Sequence, residues 1–428
     1  MTVDRAPMTV DREQLILVRA GRLLDVVAGE VLTDRVVVIR GDRIEAVVAS
    51  GEEPEAERSI DLRGSMVLPG LMDMHSHMVG EVESGHGYAQ LVTRTAAQEA
   101  LSGVRNARNM VMAGFTTVRD VGTFRALVDV ALRDAIEAGH VPGPRMMCAG
   151  AYVTSPGGGG DVTGLAPDVD AVVPVDLRFG VAASADEVRA RVRKILHGGA
   201  DFIKVIATGA VLTEGTTPGA PEFSEAEIRA AVEEAALYGT FVAAHAHGAE
   251  GIKRAVRAGV RSIEHGSLMD DESIELMASR GTYLVADIYN GDWIEEEGRK
   301  AGWSKNVLRK NEETTEAQRQ GFTKAIKAGV KIAYGTDNGV FPHALAGRQF
   351  AYMVRYGMTP IEAVRSATVV ASELMGWQDR VGSVTAGKFA DLIAVAGDPT
   401  DDVALLESVP FVMKGGQVIK APESGPSP

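Results

Sequence analysis

The chain has 428 residues, 45% of them apolar and 24% charged, and a formal net charge of −14. That length exceeds one ordinary domain and allows a sizeable core, while the acidic balance argues against a nucleic-acid or anionic-membrane surface, both of which call for clustered Lys and Arg. Cys148 is the single cysteine, so no intrachain disulfide can form, and no apolar run reaches the roughly 18 residues of a membrane span. A small-molecule partner and a cytoplasmic location are therefore expected, with no nucleic acid and no membrane.

Met-Thr-Val-Asp-Arg occurs at 1–5 and again at 8–12, and residues 1–13 read as a flexible extension without fold content. Short alternating strands follow at Leu15–Val18, Val36–Ile39, Ile44–Val48 and Ser65–Leu68, separated by turn pairs such as Gly41-Asp42. From there strands alternate with amphipathic helices, the strands falling at 71–75, 115–119, 145–150, 201–206, 240–245, 261–264, 282–286 and 331–336. Eight is the count a closed parallel barrel requires. Among the helices, Glu225–Tyr238 follows Ser224 as N-cap and carries Ile228, Val232 and Ala235 on one face, and a further helix is predicted over Pro360–Met375. The far end returns to strands at 390–395, 410–414 and 417–420, before a polar, breaker-rich tail at 421–428. The expected architecture is α/β: a TIM-like (β/α)8 barrel over 71–378, with a small β-sandwich built jointly from 14–70 and 379–420. Two separate β appendages, or an open doubly wound sheet, are the alternatives.

Six side chains at predicted strand ends have the chemistry of metal ligands. In Leu71-Met-Asp-Met-His75-Ser-His77 the period of two turns both imidazoles to one face, about 6.5–7 Å apart along the backbone, so one cation can be gripped by both. Lys204 alternates with Phe202 and Ile206, and an ammonium facing a barrel interior would be heavily desolvated. Carboxylation by CO2 would turn it into a carbamate able to bridge two cations; pairing with a carboxylate such as Asp120 is the structural alternative. His245 and His265 close the fifth and sixth strands, and neutral imidazole suits zinc and related ions. His247 shares a face with His245, and either could coordinate; His245 is taken as ligand and His247 as a substrate contact. Asp337, in Tyr334-Gly-Thr-Asp337-Asn-Gly, can touch a cation while accepting a proton from activated water. An open doubly wound sheet would not bring these strand ends together.

The pieces V-L-P-G-L-M-D-M-H-S-H (67–77), A-G-K-F-A-D-L-I-A (386–394) and V-M-K-G-G-Q-V-I (412–419) make roughly residues 14–420 resemble the amidohydrolase superfamily in its binuclear, carboxylated-lysine form. F-I-K-V-I-A-T-G (202–209), A-H-A-H-G-A-E-G-I (244–252), S-I-E-H-G (262–266), D-I-Y-N (287–290) and Y-G-T-D-N-G-V-F-P-H (334–343) are similar to the imidazolonepropionase-related branch of dipeptidases and carboxypeptidase-like amidases. The resemblance implies two divalent ions, zinc by expectation, on His75, His77, Lys204 (as N6-carboxylysine), His245, His265 and Asp337. It also implies a metal-bridging hydroxide attacking an amide, with Asp337 as the catalytic proton acceptor. Xaa-Pro, Xaa-Arg/Lys, N-acyl amino acids and ochratoxin-like amides are the implied substrates, and a homo-oligomer, such as an octamer, the implied assembly. His247, Tyr289 and His343 on post-strand loops are candidate substrate contacts. One departure stands out: Gly159 in Ser155-Pro-Gly-Gly-Gly-Gly-Asp161 falls where relatives carry a histidine. A lactonase or phosphotriesterase on the same site is the nearest alternative. A mononuclear deaminase or cyclic-amidine hydrolase would want an H-x-x-E acid where Gly248 stands.

Overall fold

The computed structural model describes residues 14–80, 91 and 93–422. The repeat at 1–12 lies outside these residues, as does all of the expected tail except Ala421 and Pro422.

Both ends of the chain are woven into one sheet. Strand β1 (Leu15–Asp25) pairs antiparallel with β2 (Glu30–Arg40) and parallel with β4 (Arg58–Pro69), while β3 (Arg43–Ala49) lies outside β2. The other side of β4 accepts β13 (Leu392–Val395), followed by β14 (Phe411–Lys414) and β15 (Gln417–Lys420). The seven strands then curl until the two flanks meet: Ile44 N–H donates to the Lys388 carbonyl at 2.9 Å and Ala390 N–H to that of Asp42 at 2.9 Å. A Cβ on Gly416 would stand 2.3 Å from the Gly41 carbonyl oxygen, so this closure needs glycine. Inside the curl, Ile16, Val18, Leu23, Val37, Ile39, Leu392, Phe411 and Met413 form a buried apolar core.

The middle of the chain supplies parallel strands. β5 (Leu71–Ser76), β6 (Phe115–Asp120) and β7 (Arg145–Cys148) form one sheet. β8 (Tyr152–Val153), β9 (Ile203–Ile206), β10 (Val242–Gly248), β11 (Ser262–Leu268) and β12 (Tyr283–Val285) form another. Between them Asp201 N–H donates to the Cys148 carbonyl at 2.8 Å. On the far side, residues 331–338 link β12 to β5 through the parallel bridges Leu284 to Ile332 and Ser76 to Asn338, and Met74 N–H donates to the Tyr334 carbonyl at 2.8 Å. The strand expected at 331–336 is therefore a bridging segment rather than a regular ladder. Its irregularity has local causes: the Gly335 carbonyl accepts from the Gln349 side chain, and Asp337 adopts a left-handed φ of 57°.

Helix Glu225–Leu237 starts as expected, with a reciprocal capping box between Ser224 and Glu227. The helix expected over Pro360–Met375 is two helices, Pro360–Ser366 and Val369–Met375. Burial of the break explains it, because the carbonyls of Ser366 and Ala367 leave the helical ladder to accept N–H groups of Tyr334 and Met72 at 3.0 and 2.8 Å. Among the described residues no helix is long and apolar enough to cross a membrane.

Candidate metal centre and active-site cavity

The C-terminal ends of the parallel strands open into a cavity of about 410 Å³. His75, His77, Lys204, His245, His247, His265 and Asp337 all line it. Two compact groups stand out, His75 with His265 and Asp337, and His245 with His247 and His265, the ligand atoms in each lying within 4.8 Å of one another.

The rings are fixed from behind. His75 donates Nδ1–H to Glu264 at 2.9 Å, His77 to the Gly122 carbonyl at 2.8 Å, and His265 to Asp287 at 3.0 Å. Each bond selects the tautomer whose Nε2 lone pair is free to face the cavity, which a metal ligand requires. Asp337 Oδ1 then stands 3.4 Å from His75 Nε2 and 3.3 Å from His77 Nε2. Two ligands held tetrahedrally at about 2.1 Å from one zinc ion would be about 3.4 Å apart, so this donor set fits one. His245 differs, since its Nε2 is 3.3 Å from the Gly209 carbonyl and its Nδ1 is the atom left free.

Electrostatics agree with a site made for cations. Burial opposes ionisation of Asp337, yet the His75 and His77 rings facing it hold its carboxyl well below the usual range. Burial pushes the His247 imidazole down to about 3 and that of His245 well below its usual value, so both rings are neutral at neutral pH. Lys204 is 2% exposed and makes no salt bridge among the described residues; burial pushes its ammonium down to about 8, against the pull of Glu264. It acts electrostatically on His75, His77 and His245 alike, which puts it within reach of both groups. The alternative partner Asp120 is engaged elsewhere, accepting N–H bonds from Met78 and Gly122 at 2.8 and 3.0 Å.

Two expected substrate contacts are corrected by the structure. Tyr289 does not line the cavity; its hydroxyl takes a hydrogen bond from Arg348 at 3.0 Å and its ring packs edge-on against Phe341 and Tyr352. His343 is buried, with Nε2 3.0 Å from the His77 carbonyl, and orders the loop behind the site. His247 does reach the cavity, and its Nδ1 lies 2.8 Å from Ser267 Oγ. Gly159 lines the cavity too, with its N–H on Glu222 at 2.7 Å and its carbonyl on Thr213 Oγ1 at 2.7 Å.

Sequence reasoning missed the residues that hold the ligands. Glu264 takes the Arg119 guanidinium at 2.7 Å as well as the His75 ring, and both members of that ion pair are fully buried. Asp287, its carboxyl held down at about 2 by the His265 ring despite burial, also accepts from Gln318 at 2.8 Å and Asn290 at 3.1 Å. Asn290 in turn donates to Asp337 Oδ2 at 3.0 Å. A usable signal existed in the carboxylates beside the ligands, Glu264 next to His265 and Asp287 at the end of the seventh strand. Two ligands also sit in strained backbone, His265 at φ 71° and Asp337 at φ 57°, a conformation that costs non-glycine residues about 1 kcal/mol or more and clusters at functional sites.

With this geometry, the comparisons with known proteins give a class. The Amidohydrolase family matches residues 66–420, and the chain belongs to that family. It is 33% identical to the ochratoxinase of Aspergillus niger over 458 aligned positions, covering all of this chain and 92% of the relative. A crystal structure of a Xaa-Pro dipeptidase with methionine bound in its active site superposes with a TM-score of 0.88 at 40% identity, covering 95% of this chain and 99% of that one. A prolidase complexed with N-methylphosphonate-L-proline superposes with a TM-score of 0.87 at 30% identity, covering 95% of this chain and all of that one. The protein is accordingly a hydrolase acting on C–N bonds of the amide type.

Proposed function

We propose that the chain is a binuclear metal-dependent amidase that releases an amino acid from a dipeptide or an N-acyl amino acid. Xaa-Pro dipeptides and ochratoxin-like amides, the substrates suggested by the relatives' names, head the candidates, with Xaa-Arg/Lys dipeptides beside them. The reading includes a closed eight-stranded barrel over 71–378 with a chain-end β-domain from 14–70 and 379–420, a cytoplasmic location and a homo-oligomeric assembly. What carries it is the convergence of the His75 and His77 Nε2 atoms on the Asp337 carboxylate while each Nδ1 is committed behind the ring, an arrangement that fits a divalent cation.

In this reading His75, His77 and Asp337 would hold one ion and His245 and His265 the other, with Lys204, carboxylated by CO2, as a ligand available to both. When bound, such a pair, zinc by expectation, lowers the pKa of water and polarises the scissile carbonyl. The chain's own residues do the rest. Asp337, steadied through Oδ2 by Asn290, accepts the proton of the attacking water on its carboxylate and delivers it to the departing amine. Glu264 and Asp287 keep the His75 and His265 rings in the ligating tautomer.

Turnover of a panel of dipeptides and N-acyl amino acids by zinc-loaded protein, with lactones and phosphotriesters in parallel, tests the assignment. Asp337→Asn is expected to abolish amide turnover while the protein keeps most of its metal. Normal activity in that variant refutes the role of Asp337, and cleavage of lactones or phosphotriesters alone refutes the amidase reading.

A further inference from the structure

The cavity continues past the histidines along an apolar wall. Tyr152 stands edge-on to His77 with ring centroids 6.1 Å apart, and Phe124 edge-on to Tyr152 at 5.2 Å. Beyond them Leu91 is buried with Phe124 and Leu165 packed in the same cluster, and all three line the cavity.

The cations lining the described cavity are Lys204, buried among the imidazoles, and Arg94. Arg94 is half-buried and immediately precedes Thr95, the N-cap of helix Ala96–Met112. Its neighbour Arg125 takes up the nearby carboxylates, donating to Asp176 at 2.6 Å and to Glu99 at 3.3 Å. The same guanidinium grips the backbone on either side, donating to the carbonyls of Leu91 at 2.7 Å and Arg94 at 3.3 Å. Arg125 thus fixes the segment that carries Arg94 while engaging Glu99, the carboxylate that the Arg94 charge reaches. Glu99 is reached by the Arg94 charge but not bonded to it, and the Arg94 guanidinium makes no hydrogen bond or ion pair among the described residues.

A half-buried guanidinium that bonds no carboxylate among the described residues, beside an apolar wall that runs to a metal-type centre, is arranged for a ligand with complementary parts. We infer that Arg94, Leu91, Phe124 and Leu165 form the subsite for the leaving amino acid, Arg94 receiving its free carboxylate and the wall its apolar side chain. The planar fork of arginine matches a carboxylate in two parallel hydrogen bonds, and partial burial limits competition from water. This inference rests on the amidase reading for the reaction, though not for the binding.

Calorimetric titration of the full chain with L-phenylalanine and with L-phenylalaninamide tests it, because the two differ only at the carboxyl group. The wild type is expected to bind the acid at least tenfold more tightly than the amide; Arg94→Gln should equalise the two, and Arg94→Lys should restore part of the preference. Equal affinities in the wild type, undetectable binding of both, or a preference that survives in Arg94→Gln would overturn the subsite. A chain with the preference but no amide turnover would sink the amidase reading and leave the subsite standing. Amide turnover without the preference would do the reverse.

Discussion

Replacing Arg119 by methionine probes the interior that supports the ligands. The guanidinium is fully buried and donates to the Met74 carbonyl at 2.6 Å, Ser262 Oγ at 3.0 Å and Glu264 Oε1 at 2.7 Å, tying β6 to β5 and to β11. Methionine keeps much of the volume and removes the charge, so Glu264 is left as a buried anion bonded only to His75 and Ser262, with Lys204 the remaining cation that acts on it. Breaking a buried pair from one side costs about 3–5 kcal/mol, because the remaining ion stays desolvated without its counter-charge. For a chain of this size that corresponds to a fall of about 3–6 °C in Tm. Thermal and urea unfolding of metal-free protein provide the measurement, with Glu264→Gln and the double variant completing a cycle. Since the double variant has neither ion, it should be no less stable than Arg119→Met alone. A single variant within about 1 kcal/mol of the wild type, or strictly additive losses, would refute the account.

Asp287→Asn removes the carboxylate behind His265 and should weaken metal retention or activity about 10- to 100-fold, read by competitive chelation, while the fold persists. Lys310→Met deletes bonds to the carbonyls of Ala210, Thr213 and Thr216, at 2.9, 2.6 and 3.3 Å. Ala210, Val211, Leu212, Thr213 and Glu214 line the cavity, so KM should rise several-fold with metal content unchanged and amide exchange should speed up over 209–217; a normal KM with normal exchange contradicts that role. Lys414, whose ammonium burial pushes down to about 8, binds its proton less readily in the folded than in the unfolded chain. Its contribution to stability therefore rises with pH from about 8 toward the unfolded value near 10.5, and Lys414→Met should remove that rise from the difference between two pH-stability curves.

How much of this the sequence revealed varies with the range of the forces involved. Local patterns carried the H-x-H at His75 and His77, the capped helix after Ser224 and most of the parallel strands, because alternation and capping are written within a few residues. The segment 331–336 reads as a regular strand, yet its pairing is broken by Gln349, a partner supplied from farther along the chain. The break after Ser366 was likewise hidden, since its cause is the N–H groups of Tyr334 and Met72. Tyr289 and His343 looked like substrate contacts because they follow strands, yet loop position does not fix side-chain direction, and both turn into packing behind the cavity. The supports Arg119, Glu264, Asp287 and Asn290 are legible only once three dimensions juxtapose strands that composition and periodicity treat separately.

The sheet that joins the two ends of the chain also sets a timetable for synthesis. β4 reaches its partner β13 through Val67 opposite Ala394, more than three hundred residues downstream. At translation rates of about 5–20 residues per second, the flank of β4 waits on the order of tens of seconds for that partner to emerge from the ribosome. Throughout that interval Met66, Val67 and Leu68, each wholly buried in the finished protein, present an open edge to the cell. Nascent-chain chaperones, or provisional cover by the β1–β2 hairpin, are then needed to keep recombinant yield from being limited by edge-to-edge aggregation.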